Sequence, residues 1–125
     1  MTDHSDLLYL AHIDEAAKGI EDTVVIHRRS SLDDALVRDA TMYRMQTLAE
    51  STQRLSLAFK SQHPDIPWRQ LAGFRNQLAH GYLGVDLDIV FDIIEHDLPG
   101  LARCVRTELA AQLQHREGKG FTFGR

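Results

Sequence analysis

One cysteine, one tryptophan, three prolines and no long apolar run set limits on what this 125-residue chain can be. The lone Cys104 excludes an internal disulfide framework and a cysteine-based zinc site, and it reads as a small buried apolar residue rather than a nucleophile. The uninterrupted apolar stretches are only a few residues long, too short for a transmembrane span. Asp3, His4 and Asp6 stand where a secretory signal would carry basic and then apolar residues, so a cytoplasmic protein is expected. A basic excess is missing too: the formal net charge is −4. That argues against a bulk electrostatic binder of nucleic acid, and any RNA contact must be local. No Gly-x-x-x-x-Gly-Lys phosphate loop, Gly-x-Ser-x-Gly elbow or His-Glu-x-x-His zinc helix is present. The seven histidines form no i, i+4 pair, so no metal site is expected.

A hydrophobic content of 43% is enough for one core but not for two ordinary domains. Helical spacing dominates the pattern. Asp6 to Ile20 places Leu7, Leu10, Ile13, Ala17 and Ile20 on one stripe, with Asp14, Glu15, Lys18 and Glu21 opposite. Ser31 is a good N-cap. From Leu32 to about Ser61 there is neither Pro nor Gly, which predicts a single helix of about eight turns. Leu36, Ala40, Tyr43, Leu48, Leu55 and Phe59 are its apolar anchors. Asp39, Arg44, Gln46, Glu50 and Arg54 interrupt that pattern, and they serve either a solvated face or a second contact surface. His63-Pro64 and Ile66-Pro67 form a sharp connection, because the residue before each proline is pushed out of the helical region. A helix then opens at Pro67 and Trp68. Further on, Leu87, Val90, Phe91 and Ile94 mark another helix, and Asp97 is expected to cap a last one carrying Leu101, Val105, Leu109 and Leu113. Residues 1–116 read as one all-α up-and-down bundle of four to five helices, and residues 117–125 as a flexible tail.

The densest chemistry lies in Arg75-Asn76-Gln77-Leu78-Ala79-His80-Gly81-Tyr82. Leu71, Phe74 and Leu78 point one face of this segment into a core, and Gly81 and Gly84 stop the helix. His80 falls at the helix C-terminus, where the macrodipole favours imidazolium. Arg75 keeps its charge at every accessible pH, and a permanent cation near a titratable imidazole suits phosphate chemistry coupled to proton movement. Five residues at ~100° each put the two about 140° apart on a regular helix, so they do not share a face. A two-fold dimer would supply one histidine for each proton transfer. From the residues alone, Arg75 and His80 equally fit a salt-bridge network at a helix end. Eleven of the fourteen basic residues are Arg, and they form either a phosphate-gripping patch or a solvated, paired surface.

Arg75, four residues, His80, one residue and Tyr82 resemble the Arg-x-x-x-x-His-x-Tyr signature of HEPN-domain toxins of the HepT type. The flanks resemble that family as well: His63-Pro64-Asp65-Ile66-Pro67-Trp68-Arg69 before the motif, Gly84 to Phe91 and Asp97-Leu98-Pro99 after it. The resemblance covers roughly Leu32 to Leu113. On the preceding helix Asp39-Ala40 and Glu50 match the family's pattern, while Gln46 stands where a Glu is expected.

The resemblance implies a HEPN-like dimeric bundle acting as the toxin of a HEPN/MNT toxin–antitoxin pair. Arg75 and His80 would be catalytic in a metal-independent endoribonuclease whose composite site lies across a homodimer, with Asn76 and Glu50 supporting it. The partner would be an MNT-type nucleotidyltransferase antitoxin that transfers AMP from ATP, with Mg, to Tyr82. The toxin itself would need no cofactor and no membrane. The alternative is a non-catalytic HEPN interaction module that binds a nucleotide or a nucleotidyltransferase through the same surface.

Overall fold

Apolar stripes decide how the helices of this chain pack, and a few small polar residues decide where they are cut. The computed structural model describes residues 3–24, 28–81 and 84–123, with 116–123 as backbone. Helix α1 spans His4–Thr23 and buries Leu10, Ile13, Ala16, Ala17 and Ile20, the expected stripe with Ala16 added and Leu7 only partly buried. A 3-10 turn, Arg29–Asp33, leads to α2, Ala35–Arg54. The cap of α2 is Asp34 rather than Ser31: its Oδ1 accepts from the backbone N–H of Leu36 at 2.9 Å and of Val37 at 3.2 Å.

The single rod expected from Leu32 to about Ser61 does not form. It breaks at Leu55 and Ser56, both in extended conformation, and restarts as α3, Leu57–Ser61. The cause is side-chain competition for the backbone, which needs neither Pro nor Gly. Ser56 Oγ accepts from the Phe59 N–H at 3.1 Å. In turn the Ser56 N–H and O–H donate to the two carboxylate oxygens of Asp6 at 2.8 and 2.6 Å. Asp6 is 3% exposed, a buried carboxylate spent on holding this corner.

Helix α4 spans Trp68–Ala79 and buries Leu71, Phe74 and Leu78, as its spacing predicts. Trp68 packs under the corner before it. Its indole N–H donates to the carbonyls of His63 and Lys60 at 2.9 and 3.2 Å, and the Phe59 ring meets it edge-on at 6.3 Å. Helix α5, Leu87–Asp92, is capped by Asp86, which accepts from the Asp88 N–H at 2.8 Å. It does not end at Asp97 as expected. A π turn, Ile93–Asp97, joins it to α6, Leu98–Phe123. Pro99 has no N–H for the Glu95 carbonyl, and in a regular helix its ring would clash there. The Leu98 N–H instead bonds to the Ile93 carbonyl five residues back, and the widened turn lets the rod continue through the proline. Helical backbone also runs through residues 117–123, which the sequence reading assigns to a tail.

The helices are α1, α2, the short α3 beyond the break, α4, and the continuous α5–α6. Helix α1 packs on α2 and on α6, and α4 packs on α2. The shared core includes Leu10, Ile13, Ile20, Met45, Leu48, Leu71, Ile94 and Leu101, all essentially without solvent contact. Each such side chain contributes roughly 1.5–3 kcal/mol of burial. The described residues contain no strand, and no helix among them is long and apolar enough to cross a membrane. Two expected anchors of α2 are not in this core: Leu36 and Tyr43 are 83% and 72% exposed, whereas Leu48, Leu55 and Phe59 are buried. The core-facing stripe of α2 is Met42, Met45, Leu48 and Ala49, so the opposite face is left uncovered.

Candidate active site

Helix α4 buries its Leu71–Phe74–Leu78 face, which turns Arg75 toward α2. There it meets Glu50. Arg75 Nε donates to Glu50 Oε2 at 3.0 Å and Nη2 donates to Oε1 at 3.2 Å, a two-pronged pair between half-exposed side chains. The hydrogen bond to Glu50, with its charge, raises the Arg75 pKa further. Hydrogen bonding to Arg75 likewise holds the Glu50 carboxyl below its ordinary value, against a smaller opposing effect of burial. The pair occupies the Nε edge of the guanidinium and leaves Nη1 turned outward, where its contact is Asn76 Oδ1 at 3.4 Å. Asn76 therefore touches Arg75, not His80.

His80 is the residue at which α4 ends. Its backbone N–H donates to the Gln77 carbonyl at 3.2 Å, and Gly81 follows with φ 115°, a left-handed geometry that a residue with a Cβ rarely adopts. The imidazole is exposed, with no side-chain hydrogen bond among the described residues. Tyr82 lies outside the described residues.

Gln46, Glu50, Arg75, Leu78 and Ala79 line a cleft of about 170 Å³ at this meeting of α2 and α4. Gln46 stands one turn before Glu50 and presents a neutral amide, so among the described residues Glu50 is the only carboxylate lining the cleft beside Arg75. Arg54 is near enough to Glu50 to help lower its pKa, but other arginines are engaged elsewhere. Arg29 is paired with Asp88 and Asp33, Arg106 with Asp14 and Glu21, and Arg38 donates to the Leu32 carbonyl. Among the described residues no group of three His, Cys, Asp or Glu is placed to hold a metal ion. Cys104 is half-buried, and burial pushes its thiol up to about 11, which leaves it inert.

Glu50 yields a direct check on this geometry. Because its folded-state pKa lies below the ordinary 4.5, the pair's contribution is fully present above that pH and is lost as pH falls through the folded value. Carbon-detected NMR titration of the Glu50 carboxyl is expected to give a midpoint below 4.5, moving up in an Arg75→Gln variant. A wild-type midpoint at or above 4.5 would mean that the pair does not form in solution.

Sequence reasoning found Arg75, Asn76, Glu50 and His80, and the structure brings the first three into contact. That reasoning named Gln46, Glu50 and Arg54 as a candidate second contact surface, but not the groove between α1 and α2 that they line together with Tyr9, His12 and Tyr43. The signal available was Tyr43, a phenol read as an apolar anchor among the polar residues of α2.

The family model for HepT-like proteins, described as "Ribonuclease HepT-like", matches residues 13–108. A protein of Thermococcus cleftensis described as "Probable ribonuclease HepT" is 34% identical over 99 residues, covering 78% of this chain and 88% of that one. Two proteins described as "Putative RNase" are similar at lower identity. The one from Caldanaerobacter subterraneus subsp. tengcongensis is 29% identical over 99 residues, with 78% and 88% covered. The one from Methanocaldococcus jannaschii is 25% identical over 91 residues, with 73% and 84% covered. No solved structure matches the chain. With the motif helix, the all-α bundle and the greater part of the sequence matched by that family model, the chain belongs to the HepT-like ribonuclease family.

Proposed function

We propose that this chain is the toxin of a HEPN/MNT toxin–antitoxin pair, a metal-independent endoribonuclease that works as a homodimer. The observation that supports it most is the guanidinium of Arg75, held by Glu50, on the same helix whose end carries the exposed His80. In this reading a ribose 2′-hydroxyl attacks the adjacent phosphorus, and the 5′-oxygen leaves with a proton from His80. His80 of the partner subunit takes the 2′-proton. The Nη1 side of Arg75, which Glu50 does not occupy, holds the crowded phosphate, with Glu50 and Asn76 fixing its direction. With one motif histidine per chain, a second copy supplies the group for the other proton transfer. Leu36 and Leu57, 83% and 82% exposed, are apolar surface that a single chain leaves unused.

The test is cleavage of RNA by the purified chain in EDTA, with sedimentation alongside. A dimer at micromolar concentration and products with 2′,3′-cyclic phosphate ends are expected. Complete loss of cleavage on chelation, restored by added metal, would sink the mechanism, and a chain that sediments only as monomer would sink the composite site.

Neutralisation is assigned to Tyr82. A nucleotidyltransferase partner would join the Tyr82 oxygen to the α-phosphorus of ATP, with pyrophosphate leaving. The added phosphate would bring negative charge and bulk two residues from His80 in the chain, and negative charge repels RNA. Tyr82→Phe keeps the ring and removes the acceptor oxygen, so it is expected to remain toxic in cells that co-express the partner. Full protection of those cells would place the modified oxygen elsewhere.

A further inference from the structure

The face of α2 left uncovered by the core forms one wall of a groove whose other wall is α1. Tyr9, His12, Tyr43, Thr47, Ser51 and Arg54 line it, with a volume of about 480 Å³. It shares Gln46 and Glu50 with the cleft that holds Arg75, so the two spaces adjoin at these side chains. At its far end it runs into a smaller hollow of about 230 Å³ beside Arg44 and Glu15.

We propose that this groove is a track for a single-stranded RNA segment flanking the cleaved bond, with bases stacked on Tyr43 and Tyr9. The proposal rests on the ribonuclease reading and names where that substrate lies. Two of the three tyrosines in the chain face this one space. Tyr9 is half-buried and meets His12 edge-on at 6.0 Å, so its ring is held in place. Tyr43 is 72% exposed and offers an open ring. Rings of this kind stack any base, and hydroxyls and amides such as Thr47, Ser51 and Gln46 suit ribose and base edges.

Charge supports the same occupant. Glu50 is neutralised by Arg75, which leaves Arg44 and Arg54 against Glu15 along the walls. That is a local positive balance on a chain of net charge −4. From Arg44 to Arg54 the helix rises about 15 Å, room for about four stacked nucleotides at ~3.4 Å each. A second copy is a poorer fit, because the core of a protein interface is depleted in charged groups and this groove is lined mainly by polar and charged ones.

The experiment measures binding of a fluorescein-labelled 2′-O-methyl octaadenylate, which cannot be cut by 2′-hydroxyl attack, to the full chain and its variants. Tyr43→Ala is expected to weaken binding about tenfold or more, and Tyr43→Phe, which keeps the ring, to restore it. Sedimentation of each variant is read in parallel. Undiminished affinity in Tyr43→Ala overturns the proposal. So does a Tyr43→Ala chain that loses affinity only because it no longer dimerises, which would assign the groove to the second copy. Cleavage of unmodified RNA separates the two readings. A parent chain that cuts RNA while Tyr43→Ala binds normally defeats the groove alone, whereas a parent that binds through Tyr43 and cuts nothing defeats the ribonuclease reading alone.

Discussion

His80→Ala is expected to lower RNA cleavage by roughly 10²–10⁴-fold, the usual worth of a positioned acid or base, with the fold and oligomeric state unchanged. The geometry separates these two outcomes. The His80 imidazole is exposed and has no hydrogen bond among the described residues, so its loss opens no cavity and leaves no buried group unpaired. The helix end is held by backbone groups, the His80 N–H on Gln77 and the Gly81 N–H on Leu78, which alanine keeps. What is removed is a titratable group at a helix C-terminus, worth at most about 1–2 kcal/mol through the dipole. Cleavage by purified His80→Ala protein, with circular dichroism and sedimentation to verify it, measures this directly. A folded variant that cuts RNA at the parent rate would remove His80 from the chemistry and return the interaction-module reading to first place.

The fold was legible where apolar spacing was strong. Leu10, Ile13, Ala17 and Ile20 on α1, and Leu71, Phe74 and Leu78 on α4, are buried as their periods require. The boundary at Pro67 and Trp68 and the stop at Gly81 followed from backbone chemistry that proline and glycine announce. The breaks that were missed have no such signal. Ser56 ends α2 because a carboxylate fifty residues earlier in the chain accepts its N–H, a tertiary contact that local sequence does not carry. Pro99 looked like a helix start and instead sits one turn inside a rod that a π turn makes room for.

The site was legible in part for the same kind of reason. Arg75, Asn76 and His80 are close in sequence, so a local motif exposes them. Glu50 comes from another helix, and only packing of α4 on α2 shows that it grips Arg75 from the Nε side. The groove as a space needed the structure, although Arg44, Gln46, Glu50 and Arg54 already suggested a second contact surface on α2. Tyr43 counts as a core anchor by type, and its place opposite Met42, Met45 and Leu48 becomes visible only once the buried face of α2 is known.

Asp6→Ala is expected to be among the most destabilising single changes outside the apolar core, although Asp6 has no contact with Arg75 or His80. Its carboxylate is 3% exposed and accepts from both the N–H and the O–H of Ser56. Hydrogen bonds to a charged group contribute about 1.5–3 kcal/mol each, so losing both costs roughly 3 kcal/mol or more. For a chain of this size that lowers Tm on the order of 10 °C. The effect concentrates at the corner where α2 stops and α3 begins, because the same Ser56 hydroxyl caps α3 through the Phe59 N–H. Phe59 is one of the rings against Trp68, so loosening this corner also loosens the entrance to α4. Asp6→Asn keeps one acceptor oxygen and turns the other into a donor facing Ser56, so an intermediate loss is expected. Thermal unfolding of the three proteins by circular dichroism gives the ranking. Cleavage per folded molecule well below Tm should match the parent, since the Arg75–Glu50 pair lies elsewhere. An Asp6→Ala protein that melts within a degree of the parent would show that the Asp6–Ser56 contact does not hold this corner in solution.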